Sequence, residues 1–97
     1  MRYEIVFAPE AVADFKKFLA HDRATLRDAL EIHLRHEPTK ISKSRIKRLH
    51  GISRPQFRLR VGDFRVFYDV RENVVEILAV IPKMDAASWL EEYGERK

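Results

Sequence analysis

The sequence predicts an α+β domain in the order β-α-α-β-β-β-α, with a helical hairpin packed on one face of an antiparallel sheet. Three observations carry that expectation. Apolar residues alternate through Tyr3, Ile5 and Phe7, and again through Phe57, Leu59 and Val61, as on a half-buried strand. Between these runs the apolar spacing becomes helical. Downstream, Gly62-Asp63 and Glu72-Asn73 punctuate β-branched runs as hairpin turns do.

The elements follow in order. Arg2–Ala8 reads as the first strand. Pro9 suits a first helical turn, where its missing N–H costs nothing, and Val12, Phe15, Phe18 and Leu19 keep helical spacing to about Ala20. Asp22 is placed to cap a second helix with Leu26, Leu30, His33 and Leu34 on one stripe. That helix is expected to end near Glu37, since Pro38 disfavours its continuation. Thr39–Pro55 reads as a basic connector with a turn at Leu49-His50-Gly51. Phe57–Val61, Phe64–Arg71 and Val74–Ile81 form a meander. Lys83–Tyr93 closes as a helix with Asp85 as cap and Ala86, Trp89, Leu90 and Tyr93 on one stripe.

Composition narrows the function classes. A chain of 97 residues has material for one core, so residues 1–97 are expected to form a single domain. The chain has no cysteine, which excludes a disulfide scaffold, a thiol nucleophile and cysteine-based zinc sites. The longest apolar run, Ile77–Pro82, is far short of a membrane span, and no apolar signal region follows Arg2. A cytoplasmic location is therefore expected. No P-loop, HExxH, nucleophile elbow or dinucleotide fingerprint occurs. His33 and His36 stand at metal-ligand spacing, but without further ligands they read as a solvated helix face.

Charge is unevenly spread. The net +4 conceals a balance of +7 between Ile41 and Arg65, where Asp63 is the single acid. Such clustering is the footprint of a polyanion partner, although a solvated loop or an acidic protein partner produces it too. If Gly62-Asp63 is a two-residue loop, Arg60 faces Arg65 and Arg58 lies diagonal to it, opposite the apolar face. Like charges opposed on a sheet are destabilising by up to ~1 kcal/mol. A bound phosphate reverses the sign, because guanidinium grips its oxygens with paired donors. Screening by salt, or pairing with Asp69 or Glu76, is the alternative.

Lys47-Arg48-Leu49-His50-Gly51, the run Phe57–Tyr68 and Val80-Ile81-Pro82-Lys83 together resemble the RelE/ParE superfamily of toxins from bacterial type II toxin–antitoxin systems. In the RelE branch the resemblance implies a ribosome-dependent endonuclease that cuts messenger RNA and uses no metal or other cofactor. The substrate's own 2′-hydroxyl attacks the adjacent phosphate. It also implies a cognate antitoxin and a toxin–antitoxin hetero-oligomer; the basic segment predicts that this partner is acidic and partly helical. The resemblance implies catalytic roles for Arg58, Arg65 and Lys83: Arg58 falls on a basic catalytic position, Arg65 on the strand arginine that contacts the phosphate, Lys83 near a basic residue after the last strand, and Trp89 close to a place often held by tyrosine. Arg60, Arg48, Lys47 and His50 join Trp89 as expected phosphate- or RNA-binding residues.

The departures are specific. Gln56 stands where some members carry a strand lysine. Arg58 stays protonated and makes a poor base, and Trp89 stacks but has no phenol to donate a proton. Lys83 and His50 remain as proton carriers. These departures keep two alternatives open, a ParE-like non-enzymatic inhibitor of DNA gyrase and a degenerate member that only binds antitoxin. Each residue also has a structural reading: Trp89 as core, His50 as a turn residue, Lys83 as a strand end.

Overall fold

Alternating and helical periodicities fold into three helices and seven strands in a computed structural model that describes all 97 residues. In chain order these are β1 (Glu4–Phe7), α1 (Pro9–Lys16), α2 (Ala20–Leu34), β2 (Ile46–Arg48), β3 (Ile52–Arg54) and β4 (Phe57–Val61). Then come β5 (Phe64–Arg71), β6 (Val74–Pro82), a 3-10 turn at Lys83–Asp85, α3 (Ala86–Tyr93) and β7 (Glu95–Arg96). The α+β class, the helical hairpin and the β4-β5-β6 meander match the sequence reading.

The main sheet has the order β1-β6-β5-β4-β2, and β3 pairs with β7 in a separate two-stranded ribbon. β1 runs parallel to β6 from Glu4↔Val74 to Phe7↔Ile77, so the sheet is mixed where a wholly antiparallel one was expected. Alternation reports which face of a strand is apolar but not its direction, and Ile5 and Phe7 meet the core either way. β2 arises inside the connector read as loop. Its one buried residue, Ile46 opposite Leu59, gives too little pattern for a strand to be read.

Helix ends also differ from expectation. α1 stops at Lys16, leaving Phe18 beyond the helix and Leu19 74% exposed. Leu19, not Asp22, is the N-cap residue of α2, and Asp22 lies in the first turn, where a carboxylate suits the helix dipole. α2 ends at Leu34, three residues before the expected stop. Arg35 instead ties down the chain start: its carbonyl accepts from Tyr3 N–H at 2.7 Å and its Nη1 donates to Tyr3 O at 2.9 Å. α3 begins at Ala86, because Lys83–Asp85 forms the 3-10 turn, and Asp85 makes no side-chain cap.

Two apolar layers result. The larger joins Ala11 and Phe15 of α1 and Leu26, Leu30 and Leu34 of α2 to Phe57, Leu59, Val66, Tyr68 and Ile77 of the sheet. A smaller cluster on the opposite face joins Phe67, Ala79 and Ile81 to Leu49, Ala86, Trp89 and Leu90. A register shift between Phe67 and Tyr68 makes Leu78 an extra residue on β6, which keeps Val80 in the main core and turns Ala79 and Ile81 toward α3.

Candidate functional site

The β4–β5 hairpin closes through Gly62, whose φ of +54° suits a residue without Cβ, and Val61 pairs with Phe64. The register then places Arg60 directly across from Arg65 and Arg58 across from Phe67, with Phe57, Leu59 and Val61 on the buried face. β2 extends the row, because Lys47 lies across from Arg58. One sheet face therefore gathers Lys47, Arg58, Arg60 and Arg65 beside Phe67.

Arg65 is only 8% exposed, and its Nη1 donates to the carbonyls of Gly62 and Phe64, both at 2.9 Å. These bonds fix the guanidinium at the hairpin and leave other donors free. Arg58 has a buried Nε with no hydrogen-bond partner. Burial first, and then the charges of Arg65 and Arg60, push the Arg58 guanidinium below its ordinary pKa. Burial first, and then Arg60, acts the same way on Arg65, with Asp63 opposing. Both remain cations, and both are held in surroundings that disfavour a cation without a counter-charge.

The acids of this face do not supply that charge. Arg54 takes them: it lies 3.7 Å from Asp69, 3.3 Å from Glu76 and 4.0 Å from Glu95. No ion pair of the molecule includes Arg58, Arg60 or Arg65. The expected alternative of pairing with Asp69 or Glu76 is thus realised at Arg54 and not at the hairpin.

The remaining sequence candidates divide. Lys83 is brought to the hairpin tip, since its N–H donates to Asp63 O at 2.7 Å and its side chain is exposed. Trp89 stacks on Phe67 at 4.9 Å with planes 10° apart, so α3 lies next to the residue paired with Arg58. It is half-buried and belongs to the smaller apolar cluster. His50 is an exposed bend residue between Leu49, which packs in that cluster, and Gly51, whose φ is +74°. Arg48 is not brought in: it pairs with Phe57, on the helix side of the sheet, and its guanidinium sits 5.1 Å over the Phe57 ring. No group of three or more His, Cys, Asp or Glu residues is arranged to hold a metal ion, and His36 instead meets Met1 O at 3.3 Å.

Gln56 has a structural task. β5 runs past the end of β4, and the Gln56 side-chain oxygen accepts from Val70 N–H at 2.9 Å while Gln56 N–H donates to Asp69 Oδ1 at 2.7 Å. It finishes the ladder that β4 leaves open. Sequence reading missed Arg45, which lies opposite Arg60: Arg60 N–H donates to Arg45 O at 2.9 Å. Its signal was present in the basic segment, but a segment read as loop offers no register.

Solved structures of this fold share the architecture. The RelE–RelB complex of Pyrococcus horikoshii is 27% identical over 86% of this chain and 97% of that chain, with a TM-score of 0.63. The toxin–antitoxin complex RelBE2 of Mycobacterium tuberculosis is 25% identical, covering 84% of this chain and 99% of that one at a TM-score of 0.64. A mutant of Escherichia coli toxin RelE in the free state is 23% identical and covers 95% of this chain and 93% of its own at 0.69; at that identity it speaks for the fold alone. No curated protein sequence matches the chain.

The fold and its likeness to RelE-type toxins place the chain in the RelE/ParE superfamily. The family model for the ParE toxin of type II toxin–antitoxin systems matches residues 5–86, and the chain belongs to that family. No helix is long and apolar enough to cross a membrane.

Proposed function

We propose that this toxin acts on messenger RNA in the ribosome and arrests translation by cutting it. The observation that carries the reading is the arginine face, in which Arg58, Arg60 and Arg65 lie together outside any ion pair and Arg58 Nε is left without a partner. An RNA phosphate supplies the missing charge. Strand cleavage follows when the substrate's 2′-hydroxyl attacks its own phosphorus and the 5′-oxygen of the next nucleotide leaves, giving a cyclic phosphate. In this reading Arg58 and Arg65 hold the non-bridging oxygens and stabilise the charge that grows on them. Lys83 at the hairpin tip and His50 are the groups suited to moving the two protons. Lys47 and Arg60 extend the phosphate contacts, and Trp89 is the stacking surface.

The likeness to toxins solved with antitoxins, together with the basic segment, supports an acidic, partly helical antitoxin as cytoplasmic partner, held with the toxin in a hetero-oligomer. Induction of the chain followed by mapping of transcript ends tests the activity. Cuts within translated messages are expected, and Arg65→Gln removes them. Arrested growth with intact translated messages overturns the reading.

A second reading is favoured by Gln56, whose side chain is spent on Val70 N–H where some RelE-like members carry a lysine, and by the ParE family match. It makes the chain a non-enzymatic inhibitor of DNA gyrase. Supercoiling assays with the purified protein separate the two: inhibition at stoichiometric toxin with messages intact selects it.

A further inference from the structure

Arg60 has a second cationic neighbour, on the side away from Arg65. Ser44, Arg45, Arg60 and Gly62 alone line a cleft of about 400 Å³ that contains no apolar side chain. The approach to β2 is fixed by Ser42, whose Oγ accepts from the N–H groups of Arg45 and Ile46 at 3.0 and 3.1 Å. Ser42 N–H in turn donates to Ile46 O at 3.0 Å. Arg45 is therefore held beside Arg60, and its one guanidinium bond is a long one, from Nη1 to Arg60 O at 3.4 Å. A guanidinium has five donors, so most remain available. Neither Arg45 nor Arg60 enters an ion pair.

Arg60 thus stands between two arginines, Arg65 across β5 and Arg45 across β2. Adjacent strands are ~4.8 Å apart, which sets Arg45 and Arg65 roughly 10 Å from one another across the sheet. One anion at Arg58 and Arg65 relieves the repulsion on one side of Arg60 only. The Arg45 side needs another, which a neighbouring phosphate of the same strand would supply.

We propose that the Ser44–Arg45–Arg60–Gly62 cleft is a second phosphate subsite, holding the RNA phosphodiester next to the one gripped at Arg58 and Arg65. The inference rests on the reading of this face as an RNA-binding surface. Arg45 is a positioning residue: it fixes the register of the strand by gripping a phosphate that does not react. The Ser44 hydroxyl adds a neutral donor, and Gly62 presents backbone without a side chain.

A 2′-deoxy hexanucleotide, which lacks the attacking hydroxyl, tests the subsite by fluorescence anisotropy at several salt concentrations and by amide chemical-shift mapping. The hexamer is expected to move the signals of Ser44, Arg45 and Gly62 as well as those of Arg58 and Arg65. Arg45→Gln lowers its affinity about tenfold and reduces the salt slope by ~0.7, the value for one phosphate contact on a single strand. Arg45→Lys keeps the slope. A dinucleotide with a single phosphate shifts the Arg58–Arg65 signals equally in wild type and Arg45→Gln. A hexamer footprint confined to Arg58 and Arg65, or unchanged affinity and slope in Arg45→Gln, overturns the subsite and leaves the RNA reading standing. Loss of the dinucleotide footprint in Arg45→Gln also overturns it, because the substitution then disturbs the whole face. A hexamer that moves no signal on this face overturns both readings together.

Discussion

Arg58 concentrates the conflict between stability and ligand binding in a single side chain. Its Nε is buried and unpartnered, and the charges of Arg65 and Arg60 act against its own. An orphaned buried donor costs ~1–3 kcal/mol, and the lower end applies because the residue is only half-buried. Arg58→Met is therefore expected to stabilise the free protein by about 1 kcal/mol in urea titrations while abolishing oligonucleotide binding. A lower midpoint would mean that the cation is already compensated. His33 carries a second residue-scale consequence. Burial first, and then the Arg45 charge, hold its imidazole below the ordinary value of 6.5. The folded state thus prefers neutral His33, so this stabilising contribution is complete above 6.5 and lost as pH falls through the depressed folded value. Imidazole titration by NMR is expected to return a pKa below 6.5, raised part of the way back by Arg45→Gln. Urea midpoints of His33→Gln should then vary less with pH across that window.

Among the elements, α3 stands apart. It contains no buried residue, and its hold on the sheet is the Trp89–Phe67 stack, with partial burial of Ala86 and Leu90. Beyond it, β7 is two residues long and is tied to β3 by Ser53 Oγ donating to Glu95 O at 3.1 Å and by Arg54 near Glu95 at 4.0 Å. An element with so little buried apolar surface opens below the free energy of global unfolding. Hydrogen exchange is expected to show the α3 amides far less protected than those of β5 and β6, and Trp89→Ala should lower that protection further. Equal protection of α3 and β5 would show instead that the terminal segment unfolds only with the whole domain. The helical hairpin behaves differently, because Leu26, Leu30 and Leu34 are within 4% of full burial and join α2 to the central core.

For the whole molecule, a buried side-chain bond ties the sheet to the helical hairpin. Tyr68 is fully buried, stacks on Phe57 at 5.5 Å and donates its hydroxyl to Pro38 O at 2.7 Å, linking the middle of the sheet to the exit from α2. Tyr68→Phe leaves that carbonyl without its partner and is expected to lower global stability by ~1–2 kcal/mol with the urea slope unchanged. A smaller loss would mean that the Pro38 carbonyl finds water. Much of this organisation was legible in the amino acids. Periodicity placed the helical hairpin and the meander, and the two-residue turn at Gly62-Asp63 placed Arg60 against Arg65, because hairpin pairing is local. The resemblance of the hairpin and its flanks pointed to the toxin superfamily for the same reason, since those residues are contiguous. What contiguity does not contain was decided by tertiary structure. The parallel direction of β1 depends on a strand near the other end of the chain, and the conversion of a charged connector into β2 and the Leu78 bulge depend on packing that no local pattern records. So does the fate of the charges. Arg54 collects Asp69, Glu76 and Glu95, Arg48 turns to the Phe57 side, and Arg45 comes to lie beside Arg60. The sequence by itself determined that a cationic hairpin exists; long-range pairing determined which of its cations remain without a counter-charge, because electrostatic energy depends on distance in space and not on separation along the chain.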